Sequence, residues 1–251
     1  MKLLFQIAGL IFVLVLAGCA SKTERAGVDN KKASIATTEL GVAYLARGEY
    51  KVAMKKLKKA VQYDDSNAEA HHYIADLYRR IGKNILAEEH FAKALKLMPE
   101  DTAIKNNYGI FLCSTGSYDK GLKLFNAVLN DPLYSDKAQA YENMGLCSEK
   151  QGNIKAAEKN YLLALKYNIK MPSALLGLAQ IEFDKNNNKS ALFYLEQHNK
   201  VARYTPQSLW LGVLIERKNG RKGKSGRYVL LLKSQFPDSK ETSYLKKLKI
   251  R

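Results

Sequence analysis

The sequence predicts an all-α fold, a solenoid of about six helix-turn-helix repeats, and three observations predict it. Small and large apolar residues recur at a step of 34: Gly41, Ala75 and Gly109; Ala53, Ala87 and Gly121; Leu57, Phe91 and Phe125. Glycines at 48, 82 and 116 punctuate successive steps at the same place. The composition favours helix, with only 5 prolines among 251 residues and an abundance of Ala, Leu and Lys. Hydrophobic residues make up 46% of the chain, enough at this length to bury a sizeable core.

The chain opens on a different pattern. After one lysine, an apolar run from Leu3 to Leu16 is broken only by Gln6 and leads to Ala17 and Gly18, the anatomy of a cleaved signal peptide over residues 1–18. The run is shorter than the roughly 20 residues needed to span a bilayer. Leu16-Ala17-Gly18-Cys19 resembles the bacterial lipobox, which implies lipidation of Cys19 and a membrane anchor of several acyl chains. The following Ala20 and Ser21 lack the aspartate that in many such lipoproteins retains the chain at the inner membrane. An outer-membrane, periplasm-facing protein is therefore expected. Residues 19–33 have no helical stripe and read as a flexible tether, with a reach on the order of 20 Å.

From Ser34 the step of 34 takes over, and this is the tetratricopeptide (TPR) period. Each unit is a helix, a turn and a second helix, with small residues where the helices cross and a large one filling the gap. Such units stack into a right-handed superhelix, because a single hairpin cannot bury its apolar face alone. The repeats are placed near 34–67, 68–101, 102–137, 138–171, 172–205 and 206–239, with a basic C-terminal helix or cap at 240–251. The stretch from Asn130 to Ser135 lengthens the step by two and forms a loop, after which Gly145, Gly152, Ala157, Tyr161 and Ala164 resume it. The fifth and sixth repeats are degenerate, carried by Ala179, Asn186, Ala191 and Leu195 and by Val213, Gly220, Ser225 and Val229.

Little in the chain points to catalysis. His71 and His72 are adjacent on a helix and diverge by about 100°, poor geometry for sharing a metal. No phosphate loop, nucleophile elbow or paired Cys-x-x-Cys is present in the sequence, so no enzyme activity, metal or cofactor is expected beyond the lipid on Cys19. Cys113 and Cys147 lie on neighbouring first helices, whose axes should stand on the order of 8 to 10 Å apart. A bridge needs Cα atoms within about 7 Å, so buried free thiols are the expectation.

Function then belongs to the surface. The repeat positions that line a TPR groove give His72, Asp76, Arg79, Asn106, Ile110, Glu142, Leu146, Phe183 and Trp210, with Leu176, Gln180 and Leu214 beside them. Trp210, the sole tryptophan, reads equally as core or as a contact anchor. The Lys and Asn pattern that clamps a peptide carboxylate in chaperone-docking relatives of this fold is missing from these positions. The net charge is +17, with basic clusters at Lys55, Lys56, Lys58 and Lys59 and at Arg217, Lys218, Arg221, Lys222, Lys224 and Arg227. Solvated helix faces are the plain reading of both clusters. Acidic headgroups, cell-wall polymer or an acidic protein are the possible ligands. Nucleic acid is disfavoured by the signal peptide and by the lack of interleaved aromatics.

Two stretches go beyond the generic repeat: Asn106 to Leu112, and Tyr134 to Leu146 with the insertion before it. With the lipobox and tether they resemble the type IV pilus biogenesis lipoproteins, the PilF/PilW-type pilotins of the outer-membrane secretin. The resemblance implies a scaffold that binds secretin subunits, delivers them to the outer membrane and supports their multimerisation. The rival function on the same scaffold is an adaptor for cell-wall hydrolases or outer-membrane protein assembly.

Overall fold

The computed structural model describes residues 28–247, so the signal segment, Cys19 and the tether up to residue 27 lie outside the described residues. Thirteen helices and no strands occur among the described residues. They are α1 (28–46), α2 (Tyr50–Tyr63), α3 (Ala68–Arg80), α4 (Asn84–Leu97), α5 (Thr102–Ser114), α6 (Tyr118–Leu129), α7 (Lys137–Lys150), α8 (Ile154–Tyr167), α9 (Pro172–Asp184), α10 (Asn188–Val201), α11 (Pro206–Lys218), α12 (Lys222–Gln235) and α13 (Lys240–Lys247). The chain divides into two compact units after Phe111. Within each, helices pair as in tetratricopeptide repeats, α3 on α4 in the first and α7 on α8, α9 on α10 and α11 on α12 in the second.

The start of α1 corrects the expected tether. Residues 28–33 are helical, because α1 begins well before Ser34, its first buried residue. The N-terminal turns of α1 are exposed and polar. They extend a helix whose packing begins only at Ser34, which is why an apolar stripe does not announce them.

The turn between the two helices of each repeat demands a left-handed residue. Gly48, Gly82, Gly116, Gly152 and Gly220 have φ between 71° and 90°, and the fifth repeat uses Asn186 at φ 65° instead. Asparagine tolerates this region better than other residues with a side chain, so the repeat survives without its glycine.

Helix starts tie one repeat to the next. Asn67 caps α3 by accepting from the Ala70 N–H, and its amide donates to Ser34 Oγ and Thr38 Oγ1 on α1 at 2.8 and 3.1 Å. Pro172 and Pro206 open α9 and α11, where the missing N–H costs nothing, and Thr205 with Ser208 forms a reciprocal capping box on α11.

The second unit turns on Tyr161 of α8, fully buried among Ala138, Ala157, Ala164, Ala174 and Leu178. Its ring lies between Gly145 of α7 and Gly177 of α9: a Cβ at either glycine would meet ring carbons at 2.4 Å. Its hydroxyl donates to the Glu149 carboxylate, and burial raises the phenol's pKa. The same device recurs with Leu57 against Gly41 in the first unit and Tyr228 against Gly212 in the second.

Cys113 and Cys147 form a disulfide, with Cα atoms 5.3 Å apart, which overturns the expectation of free thiols. The distance between helix axes overstates the gap. Two residues that face each other across it each stand about 2.3 Å nearer than their axis, which brings the Cα atoms within bridging range.

Two predictions follow from this packing. Gly145→Ala and Gly177→Ala should each destabilise the protein by about 1–3 kcal/mol through overpacking. Urea titration should also find the loss smaller on a Tyr161→Leu background; equal losses on both backgrounds would exclude the clash. Replacing both Cys113 and Cys147 by serine should lower stability by up to about 4 kcal/mol, the order set by freeing a loop of 34 residues. Wild-type protein under reductant should then match the double variant in calorimetry.

Candidate functional site

In the first unit, five of the expected groove residues lie on α3 and α5. Asp76 and Arg79 are brought together. One carboxylate oxygen of Asp76 accepts from Arg79 Nε and Nη2 at 3.0 and 2.6 Å, and the other accepts from Arg80 Nε at 2.7 Å. The two guanidinium groups hold the Asp76 carboxyl below its usual range despite burial. Asn106 and Ile110 on α5 are half-buried.

His72 is not a groove residue. It is only 6% exposed, its ring packs beside Phe91 and Tyr73, and Asn107 donates its amide to His72 Nε2 at 2.8 Å. The residue that claims it lies on the next first helix.

The second unit corrects Glu142 in the same way. Its side chain is 5% exposed, and one carboxylate oxygen accepts the Ala174 N–H at 3.0 Å. A carboxylate on α7 thus caps the first turn of α9 and complements its positive end. Phe183 lies 5.0 Å beneath the Lys218 ammonium. Trp210 is half-buried on the terminal core of Leu209, Val213 and Leu232 and contacts Tyr244 of α13 at 5.7 Å. Of the two readings of Trp210, the packing favours core.

Leu146, by contrast, stands at the edge of a cavity of about 500 Å³ formed where the successive first helices α7, α9 and α11 lie side by side. Leu176, Gln180 and Leu211 share it, and Glu149, Ser173 and Arg203 are among the polar residues that line it. The groove positions of the repeat miss Glu149 and Arg203. Arg203 sits in the connection between α10 and α11, outside any first helix, and only its place next to a degenerate repeat could have marked it.

The basic clusters are partly engaged. Arg221 pairs with the buried Glu216 at 2.7 Å, Lys218 donates to Asn186 Oδ1, and Lys58 and Lys59 lie over the rings of Tyr78 and Tyr63. Lys222, Lys224 and Arg227 stay exposed.

Comparison with known proteins places this arrangement. A TPR repeat profile matches residues 41–82, and a tetratricopeptide repeat profile matches 68–101 and 138–168. The type IV pilus assembly protein PilF of Pseudomonas aeruginosa is 28% identical over 240 residues, which span 93% of this chain and 95% of PilF. The solved structure of P. aeruginosa PilF superposes with a TM-score of 0.78 at 27% identity, covering 87% of this chain and 99% of that one. The solved structure of PilW, a type IV pilus biogenesis factor, superposes with a TM-score of 0.77 at 28% identity, covering 84% and 97%. The chain carries tetratricopeptide repeats and is similar to PilF over nearly its full length. A tetratricopeptide repeat protein from Parabacteroides merdae, 17% identical with a TM-score of 0.65, shares the fold alone.

The protein carries one more buried polar group in its second repeat. His71 Nε2 lies 3.1 Å from the Asp65 carbonyl, and His71 Nδ1 lies 2.8 Å from His90 Nδ1. The Asp65 contact makes Nε2 the donor, so His71 Nδ1 accepts and His90 Nδ1 must supply the proton. Protonating His71 would set two N–H groups against each other. Asp65, bonded to Lys93, and Tyr78 surround the pair, with Lys58 close enough to oppose its charging.

Burial lowers the pKa of His71, His72 and His90, the last to about 4. An unfolded chain, with imidazoles near 6.5, binds these protons first. Stability is therefore full above about pH 6.5 and falls as pH drops toward 4. Urea midpoints measured across that window should decline, and the decline should be shallower in His90→Gln. An unchanged slope in that variant would remove the pair as the cause.

Proposed function

We propose that this protein is an outer-membrane lipoprotein scaffold of type IV pilus biogenesis that binds secretin subunits and promotes their targeting and multimerisation. One observation carries the reading. The match to PilF runs over nearly the full length of both chains rather than over single repeats, at 28% identity against the 17% of a tetratricopeptide repeat protein that shares the fold alone. The repeat scaffold supports protein binding without catalysis.

The division of labour follows from physical chemistry. A lipid on Cys19 supplies the membrane address, and the repeats grip the subunit. A secretin monomer held this way searches along a membrane instead of through solution, which raises its effective concentration for assembly. The Cys113–Cys147 bridge supports an oxidising compartment, since disulfides persist in the periplasm and are rare in the cytosol.

The test uses the secretin itself. Deleting the gene should remove detergent-resistant secretin multimers from the outer membrane. Cys19→Ser should retain secretin binding in pull-downs while the secretin mislocalises. Ile110→Asp and Leu146→Asp, on exposed or half-exposed positions, should reduce multimers without lowering the melting temperature. Normal multimers in the deletion strain would refute the reading. Recovery of cell-wall hydrolases or barrel-assembly components in place of secretin would move the scaffold to that other pathway.

A further inference from the structure

A second apolar cleft lies in the second unit, lined by none of the residues that line the first. It opens where the last turn of α8, the connection 168–171 and α10 from Phe193 onward meet, and its volume is about 450 Å³. Leu175 of α9, nearly fully buried, forms the floor with Leu165, Tyr194 and Val201. Ile169 and Phe193 form the walls, and they are 75% and 55% exposed. Large apolar side chains this open to water, grouped around one cleft, mark interaction sites rather than scattered surface residues. Neither is required by the repeat: Ile169 sits in a connection, and Phe193 lies on the outer face of α10, between the buried Ala191 and Leu195.

The charges that line the cleft have one sign. Lys170 and Lys200 line it together with Gln197, and no carboxylate does. Among the described residues neither lysine has a carboxylate partner; the Lys200 ammonium reaches only the Gln197 side-chain oxygen, at 3.4 Å. Two exposed cations beside an apolar floor are complementary to a ligand that pairs apolar groups with negative charge. The open walls decide its form. An acyl chain seated on the floor would leave Ile169 and Phe193 wet, whereas a helix lying across the mouth would cover both with its apolar face and bring acidic residues over the lysines.

We propose that this cleft is a docking site for an acidic amphipathic helix of a partner protein, with Ile169 and Phe193 as apolar contacts and Lys170 and Lys200 as charge partners. The proposal does not rest on the secretin reading. It assigns a binding surface distinct from the cavity at Leu146, so one scaffold could hold two partners at once.

The probe is a fluorescein-labelled amphipathic peptide of about eighteen residues, with Leu and Phe on one face and Glu on the other. It is titrated by anisotropy against the full lipoprotein in neutral phosphatidylcholine nanodiscs, with empty nanodiscs as the blank. A second peptide replaces every Glu by Lys. The acidic peptide should bind saturably and the basic one should not. Phe193→Asp and Lys170→Glu/Lys200→Glu should each weaken the acidic peptide roughly tenfold or more, and the charge-reversed variant should gain affinity for the basic peptide. All these positions are exposed or at the cleft rim, and circular dichroism melts should match wild type. Equal binding of both peptides, indifference to Phe193→Asp, or saturable binding of dodecanoate with no binding of the acidic peptide would each overturn the proposal. Failure of this test leaves secretin multimers untouched, and loss of the secretin phenotype leaves peptide binding untouched.

Discussion

Between successive first helices of the second unit, one rigid ring must fit into a space closed on both sides by backbone. Tyr161 reaches that space from α8, with Gly145 on one side and Gly177 on the other. The arrangement sets how closely α7 and α9 lie on α8, and so fixes the wall of the cavity that Leu146, Leu176 and Gln180 share. A larger residue at either glycine, or a smaller one at 161, would change that spacing before it changed any partner contact. Leu57 against Gly41 and Tyr228 against Gly212 apply the same constraint elsewhere, with a side chain chosen to fill the local gap. A repeat protein needs such a rule because each unit is stable only while stacked on its neighbours.

Polar groups are used sparingly, and mostly to join one repeat to the next. Asn67 links α3 to α1, Glu142 caps α9 from α7, and Asn107 fixes His72 from the following first helix. Each answers a buried group that would otherwise lose its hydrogen bond to water, at a cost of about 1–3 kcal/mol. The consequence for function is subtraction. Residues on a first helix that serve the stack are withdrawn from the surface, while side chains such as Ile110 and Leu146 and connection residues such as Arg203 stay accessible to solvent. The basic clusters divide likewise, with Arg221 committed to Glu216 while Lys222, Lys224 and Arg227 remain in solvent.

Identity with PilF below one third, spread over almost the whole chain, is what a repeat scaffold under these constraints would retain. Small residues at crossings and left-handed turn residues admit few substitutes, whereas exposed faces are free to diverge. The open cleft at Ile169 and Phe193 lies on such a face. Exposed apolar groups on an otherwise charged surface reduce solubility, and a docked partner would cover them.

The fold class was legible in the sequence because its cause is local and periodic. A helical hairpin of fixed length returns Gly41 to Ala75 and Leu57 to Phe91, and glycine at the turn is forced by a positive φ that few other residues accept. Much of the groove was not legible. His72 and Glu142 occupy positions that face a groove in an idealised repeat, and only the approach of Asn107 and of the Ala174 N–H, more than thirty residues away in sequence, turned them inward. The disulfide escaped for a related reason, since the spacing of helix axes does not tell how near two facing Cα atoms come. Period and patterning determined which helices exist and which residues are small. Which polar side chains are buried, which cysteines meet and which apolar residues stay open to a partner was decided by tertiary contact, because burial belongs to the neighbours a residue acquires and not to its place in the repeat.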